Sequence, residues 1–331
     1  MKILLVADTH LGFDFPIRPR IVRRRRGWDF FNNYHRILKT AIAEKFDVIL
    51  HTGDLFFRSK IPQLIIQKTY EPLLPVLDSG IDIVIVPGNH ERSRLPKTKL
   101  FHHPRLHIFD RPRTFHIDKC GTKIAFGGFP NIRNQIDIGF KSALDQSGLA
   151  ESLDSMRVLC LHQSIEGAVV GVQNYRFRKG PDVIGIDQIP PDLDLIACGH
   201  IHRHQVLRTI DKTPIIYPGS IERTSFAERL EDKGYYTINM LHGSIGWEFQ
   251  PLTTRPMIEI GLNSDLNDKQ SIFSDLSSRL LTLKPDSIIR IRPGNENQLR
   301  FLKISELRTM FPETCNIDIS PPKRAHPIGS W

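Results

Sequence analysis

The chain has 331 residues, a length that fits one large domain and a smaller one. With 40% hydrophobic and 24% charged residues it has ordinary globular composition, which excludes a disordered or fibrous chain, and no apolar run approaches the ~18 residues of a membrane span. The net charge of +9 is uneven: residues 1–250 carry 34 basic and 27 acidic groups, residues 251–331 carry 11 and 9.

In chain order, Lys2–Ala7 (KILLVA) reads as a buried strand rather than a signal peptide, because Asp8 interrupts the apolar run. Phe30–Lys45 has helical periodicity through Phe30, Ile37, Leu38, Ala41 and Ile42. Asp47–Leu50 reads as a strand, Gln63–Leu77 as largely helical, and Ile83–Val86 (IVIV) as a strand buried on both faces. This alternation implies βαβ units and a mostly parallel sheet. The helical face of Ile65, Ile66, Tyr70, Leu73, Leu74 and Leu77 has core packing as its default reading and a homodimer contact as the alternative.

From about Thr114 short strands dominate: Lys123–Phe126, Arg157–Leu161, Leu195–Cys198, Gln205–Arg208, Ile215–Tyr217, Gly234–Asn239 and Gly246–Gln250. They predict a second sheet packed on the first. A break at Pro251–Pro256 precedes a compact pattern: strand Met257–Gly261, a helix with Ile272, Leu276, Leu280 and Leu283 on one face, strand Ser287–Arg292, helix Gln298–Met310 and strand Cys315–Ile319. The expected domains are therefore 1–250 and 251–320, followed by a loose tail at 321–331. Cys120, Cys160, Cys198 and Cys315 are scattered without a CxxC pair, which argues against a disulfide framework or zinc ribbon and fits a reducing cytoplasm.

The chemistry lies at the strand ends. Asp8 and His10 follow the first strand, Asp54 the second (HTGD), and Asn89 and His90 the third (VPGNHE). His162 ends VLCL, and His200 and His202 follow LIAC in CGHIH. Binding sites of open α/β sheets form outside the carboxyl ends of their strands. A single DxH or HxH is weak; five such fragments, each after an apolar run, point to a shared metal site. Asp8, His10, Asp54, Asn89, His162, His200 and His202 offer oxygen and imidazole donors without thiolate. Seven donors exceed one ion's needs, so two divalent ions are expected, of a kind that suits mixed N/O ligands: manganese, iron or zinc. His90, next to Asn89, is placed to face a substrate and give a proton to a leaving oxygen.

The order DxH, GD, GNHE, strand-ending His and GHxH resembles the calcineurin-like metallophosphoesterase superfamily. DTHLG, GDLF, PGNHE, LHQ, GHIH, YPGSIER (Tyr217–Arg223), HHPRLHIF and the RPM at Arg255–Met257 resemble the SbcD and Mre-eleven nucleases of DNA double-strand-break repair, from Met1 to about Ile319. The resemblance implies a four-layer α/β/β/α sandwich with a small C-terminal α+β capping domain, and a manganese-dependent DNA exonuclease or endonuclease. It implies Asp8, His10 and His202 on one metal, Asn89, His162 and His200 on the other, Asp54 bridging, and His90 as the catalytic histidine. It also implies a homodimer and an SbcC-type (Rad-fifty-like) ABC ATPase partner. Two departures stand out. Phe57 occupies a position, three after the bridging aspartate, where many members carry histidine. The chain also stops at Trp331, just after the capping domain, where ATPase-docking helices usually follow.

Further DNA contacts are expected from Arg18, Arg20, Arg23, Arg24, Arg25 and Arg26, in the loop after the first metal motif. Arg92 and Arg94 follow His90, and Tyr175, Arg176, Arg178 and Lys179 mix aromatic and basic character suited to stacking on bases. His51 reads as a buried structural residue and His204 as lying on the solvent side of a strand. The alternative functions are a phosphoesterase for small phosphodiesters or phosphoproteins, and a DNA-end-binding scaffold without nuclease activity.

Overall fold

A computed structural model describes residues 1–15, 25–241 and 243–322. Arg18, Arg20, Arg23 and Arg24, and most of the expected tail, lie outside them. The described chain forms two compact units, one of Met1–Phe15 with Arg26–Thr253 and one beginning at Thr254.

Two six-stranded sheets form the first unit. One has the order Ser244–Pro251, Gly234–Leu241, Lys2–Val6, Val48–His51, Asp82–Ile85, Leu106–Ile108. Its last four strands are mutually parallel, and the hairpin Gly234–Pro251 adds antiparallel at the Lys2–Val6 side. The other has the order Gln205–Arg208, Pro214–Tyr217, Leu195–Gly199, Met156–His162, Thr122–Gly128, Arg113–Lys119. It is parallel at its centre and antiparallel at both edges.

Alternation along Lys2–Val6 explains the layering, because successive side chains point to opposite faces. Ile3 and Leu5 join Val48, Leu50, Phe126, Val158 and Cys160 in a core between the sheets. Leu4 and Val6 face outward and pack under Phe30, Tyr34, Ile37, Leu38 and Ala41 of the helix Gly27–Ala43. On the far side, helix Ile136–Ser147 covers Leu159, Leu161 and Ile196 with Phe140 and Ala143. The result is an α/β/β/α sandwich. Each fully buried Leu, Ile, Val or Phe contributes about 1.5–3 kcal/mol, so the sheet pair is a stiff platform.

Several expectations need correction. The strands near 234–250 belong to the first sheet, not the second. Pro72 and Pro75 divide the predicted helix 63–77 into Gln63–Tyr70, a 3-10 turn Glu71–Leu73 and Leu74–Asp78, since proline supplies no N–H to the ladder. Most of its apolar face is core, whereas Leu64 and Leu74 are exposed. His204 is half-buried, stacked on Phe249 with ring centroids 3.9 Å apart.

The second unit is a three-stranded parallel sheet, Met257–Gly261, Ile288–Arg292 and Asn316–Ile319, with helices Lys269–Leu280 and Ile304–Met310 in its connections. The first helix is capped by Asp268, whose carboxylate accepts the Ser271 N–H at 2.9 Å. Ile260, Ile272, Leu276, Ile289, Ile291 and Leu307 form its core.

Candidate metal centre

The ligand loops extend the sheet beyond its regular strands. Thr52 N–H donates to the Val6 carbonyl, Asp8 N–H to Gly53, His10 N–H to Asp54, Leu11 N–H to Leu55, and Phe57 N–H to Leu11, at 2.9–3.0 Å. This backbone ladder fixes the DxH and GD loops side by side. To aim its side chains inward, the chain adopts left-handed backbone at Asp8 (φ 49°), His10 (44°), Asp54 (52°) and His200 (88°). Non-glycine residues rarely occupy this region, and such strain persists where the surroundings enforce it and collects at functional sites. Two glycines make room: a Cβ on Gly53 would lie 2.1 Å from His162 Nδ1, and one on Gly88 2.1 Å from Asp54 Oδ1.

All seven sequence-expected donors converge. Asp54 Oδ2 is 3.3 Å from His162 Nε2, 3.9 Å from His10 Nε2 and 3.8 Å from His90 Nε2. Asp8 Oδ1 is 4.0 Å from both His10 Nε2 and His202 Nε2, which face each other at 2.9 Å. Asn89 Oδ1 lies 3.1 Å from His162 Nε2 and 3.0 Å from His200 Nδ1. The donors therefore fall into two groups around the central Asp54.

Protonation divides the donors: His10 and His200 are ready to bind a cation, whereas His162 would have to give up a proton to do so. Burial, with His202 next in effect, drives His10 well below the ordinary imidazole range, and burial with His162 beside it lowers His200 to about 3. Both rings are therefore neutral lone-pair donors. Burial opposes ionisation of Asp54, but His162, His10 and His90 outweigh it and hold the carboxyl below its usual range. Burial also opposes a charge on His162, yet the adjacent Asp54 raises it to about 9; burial raises Asp8 to about 6. Buried His10 Nδ1 has no hydrogen-bond partner among the described residues. Facing imidazole Nε2 atoms and two buried carboxylates are an arrangement that divalent cations complete, so the residues present fit a metal pair.

His90 sits at the rim. Its backbone N–H donates to Asp54 Oδ1 at 3.0 Å, and its Nδ1 lies 2.6 Å from the Phe57 carbonyl, which requires that nitrogen to donate. The ring is about one-third exposed, and its Nε2 is left to face a substrate. Phe57 packs against it with centroids 5.6 Å apart and against His10 at 5.8 Å.

Glu91, which sequence patterning left out, and His51, read from the sequence as a buried structural residue, support these loops. Buried Glu91 accepts the N–H groups of Phe56 at 2.7 Å and Gly88 at 3.0 Å, tying the GD loop to the GNH loop; burial and the Asp54 charge raise it to about 8. Its place in GNHE was its only signal. His51 is buried beneath the site with Nε2 3.0 Å from Thr9 Oγ1.

The other basic residues are more dispersed. Arg26, expected at DNA, is buried: its guanidinium donates to the Arg223 carbonyl and lies over Phe13, so it anchors the start of the first helix. Arg25 is half-buried, and Arg92 and Arg94 are exposed. Tyr175 and Arg176 lie exposed on a two-stranded ribbon with Val169–Val170, Arg178 is exposed, and Lys179 pairs with Asp187 at 2.8 Å. Among the described residues, no helix is long and apolar enough to cross a membrane.

Comparison with known proteins agrees with this geometry. The chain is 26% identical over 235 residues to the DNA double-strand break repair protein Mre11 of Aeropyrum pernix, covering 67% of this chain and 53% of that protein. It is 27% identical over 257 residues to the SbcD component of the nuclease SbcCD of Bacillus subtilis, covering 69% and 63%. An uncharacterized metallophosphoesterase, YhaO, of the same organism is 28% identical over 259 residues, covering 76% and 60%. The chain thus spans a little over half the length of these relatives. The calcineurin-like phosphoesterase profile matches residues 1–204, a segment that holds every one of the seven donors and His90. The chain belongs to the calcineurin-like phosphoesterase family, whose fold implies divalent metal ions at this site.

Proposed function

We propose that the chain is a two-metal DNA phosphodiesterase that processes DNA ends. The observation that carries this reading is the gathering of six buried or half-buried N/O donors around Asp54, beside the partly exposed imidazole of His90. Asp8, His10 and His202 would hold one ion, Asn89, His162 and His200 the other, with Asp54 shared and manganese the expected metal. When bound, such ions lower the pKa of water and neutralise phosphoryl oxygens.

The chain's own residues supply the rest. The Phe57 carbonyl holds the His90 ring, so that its Nε2 can hand a proton to the departing oxygen. Asp54 fixes the His90 backbone while its other oxygen faces the donors. Arg92, Arg94, Tyr175, Arg176 and Arg178 would meet phosphates and bases. The Mre11 and SbcCD relatives support DNA as substrate, and by the same likeness we propose homodimerisation, an SbcC-type ATPase partner and a capping role for the C-terminal unit. Phe57, where many relatives of this kind carry histidine, would shift the balance of exonuclease and endonuclease activity.

End-labelled duplex DNA incubated with the protein and Mn²⁺ tests the reading. Cleavage that is lost in Asp54→Asn and on chelation is expected; no Mn²⁺-dependent cleavage, with turnover of a small chromogenic diester instead, would overturn DNA as the substrate.

A further inference from the structure

One buried cation is unused by the chemistry above. The Lys233 side chain is fully shielded from solvent, and its Nζ makes three short contacts: Glu228 Oε2 at 2.7 Å, Glu231 Oε2 at 3.0 Å and the His202 carbonyl at 2.9 Å. Glu228 in turn places Oε1 3.2 Å from His202 Nδ1, and the Thr224 hydroxyl donates to that same oxygen. An ionised carboxylate only accepts, so His202 Nδ1 must carry the proton, and its Nε2 lone pair points to His10 and Asp8. Lysine therefore grips the ligand's backbone and, through Glu228, its ring.

Two of the other three ligand imidazoles differ. His162 Nδ1 lies 2.7 Å from the neutral Thr52 carbonyl, and His10 Nδ1 has no partner among the described residues. A carboxylate behind a ligating imidazole fixes its tautomer and raises its basicity, and losing such a partner typically weakens metal binding about 10–100-fold.

We propose that Glu228 and Lys233 are positioning residues that make the Asp8–His10–His202 position the tighter of the two cation sites, so that the ions load in order. This rests on the two-metal reading.

Titration of the metal-free protein with Mn²⁺ by calorimetry, with EPR to separate single from coupled ions, tests it. Unmodified protein is expected to bind two ions with unequal affinity. In Glu228→Gln the tighter step should weaken about 10–100-fold while the other is kept, and Glu228→Asp should restore part of the loss. Nitrogen-15 NMR of the metal-free protein should show His202 protonated at Nδ1, and a shift toward Nε2–H in Glu228→Gln. If Glu228→Gln does not fold, Thr224→Val is read the same way, with a smaller weakening of the same step. Unchanged affinities, or equal loss at both steps, would overturn the proposal while leaving the two-metal reading intact. Failure of the unmodified protein to bind any ion would overturn both.

Discussion

The two ends of the first sheet each bury a carboxylate among basic side chains, and they are opposites. At the amino end, Asp82 is saturated: Lys119 Nζ lies at 2.6 Å, His107 Nε2 at 2.8 Å and an Arg105 nitrogen at 3.4 Å. Lys119 is itself completed by the carbonyls of Asp47 and Gly80. At the carboxyl end, Asp8 and Asp54 have mainly imidazoles for company, two ring nitrogens face each other, and His10 Nδ1 is orphaned. Both clusters combine Asp and His. A polar cluster that satisfies itself holds the fold together, whereas one left with opposed ring nitrogens is built to receive something.

This contrast can be broken most sharply at Asp54. Asp54→Asn removes the shared carboxylate charge and is expected to abolish both tight Mn²⁺ binding and esterase turnover; retention of two tightly bound ions by calorimetry would show that the deficit lies elsewhere. His90→Asn comes next: turnover should fall about 10²–10⁴-fold, the usual worth of a general acid, with ion stoichiometry unchanged. Adding Mn²⁺ to 100 times its Kd should stabilise the folded protein by about 2.7 kcal/mol in urea unfolding, and Asp54→Asn should lose that increment.

Asp82→Asn works at the satisfied end. It should cost about 1–3 kcal/mol in urea unfolding, because Lys119 loses its buried partner, while leaving the Mn²⁺ increment intact. The cost should depend on pH. Burial opposes ionisation of Asp82, but hydrogen bonds from His107 and Lys119 outweigh it and hold the folded carboxyl below its ordinary 3.8. Its stabilisation is then fully present above that value and is lost as pH falls through the lower folded value. The gap between unmodified protein and Asp82→Asn should therefore close on acidification below about pH 4, and a gap that widened would reverse the assignment.

What could be read from the chain follows the same division. The donors were legible because each follows an apolar strand: Val6 leads to Asp8, LIAC to His200 and His202. Pairing partners were not. Gly234–Leu241 has the same texture as the strands before it, yet pairs with Lys2–Val6, a contact between opposite ends of the first unit. The edge strand Arg113–Lys119 and helix Ile136–Ser147 escaped notice, the first because its exposed positions dilute its alternation. Glu228 and Lys233 were invisible for a physical reason: a buried charge is tolerable only through partners brought together by folding, and Lys233 reaches back 31 residues to His202. Arg26 shows the converse, a charge expected at a ligand that is used in packing.

The backbone seam joining residues 8–11 to residues 53–57 has a further consequence. Those amides continue the interior of the sheet, so parting the two loops would unzip two of its buried central strands, and hydrogen–deuterium exchange at His10, Leu11 and Phe57 should be as slow as at Leu5. A seat this rigid cannot mould itself around what enters it. On the proposed function, any bending, fraying or twisting needed to bring a scissile bond into line would be done by the substrate.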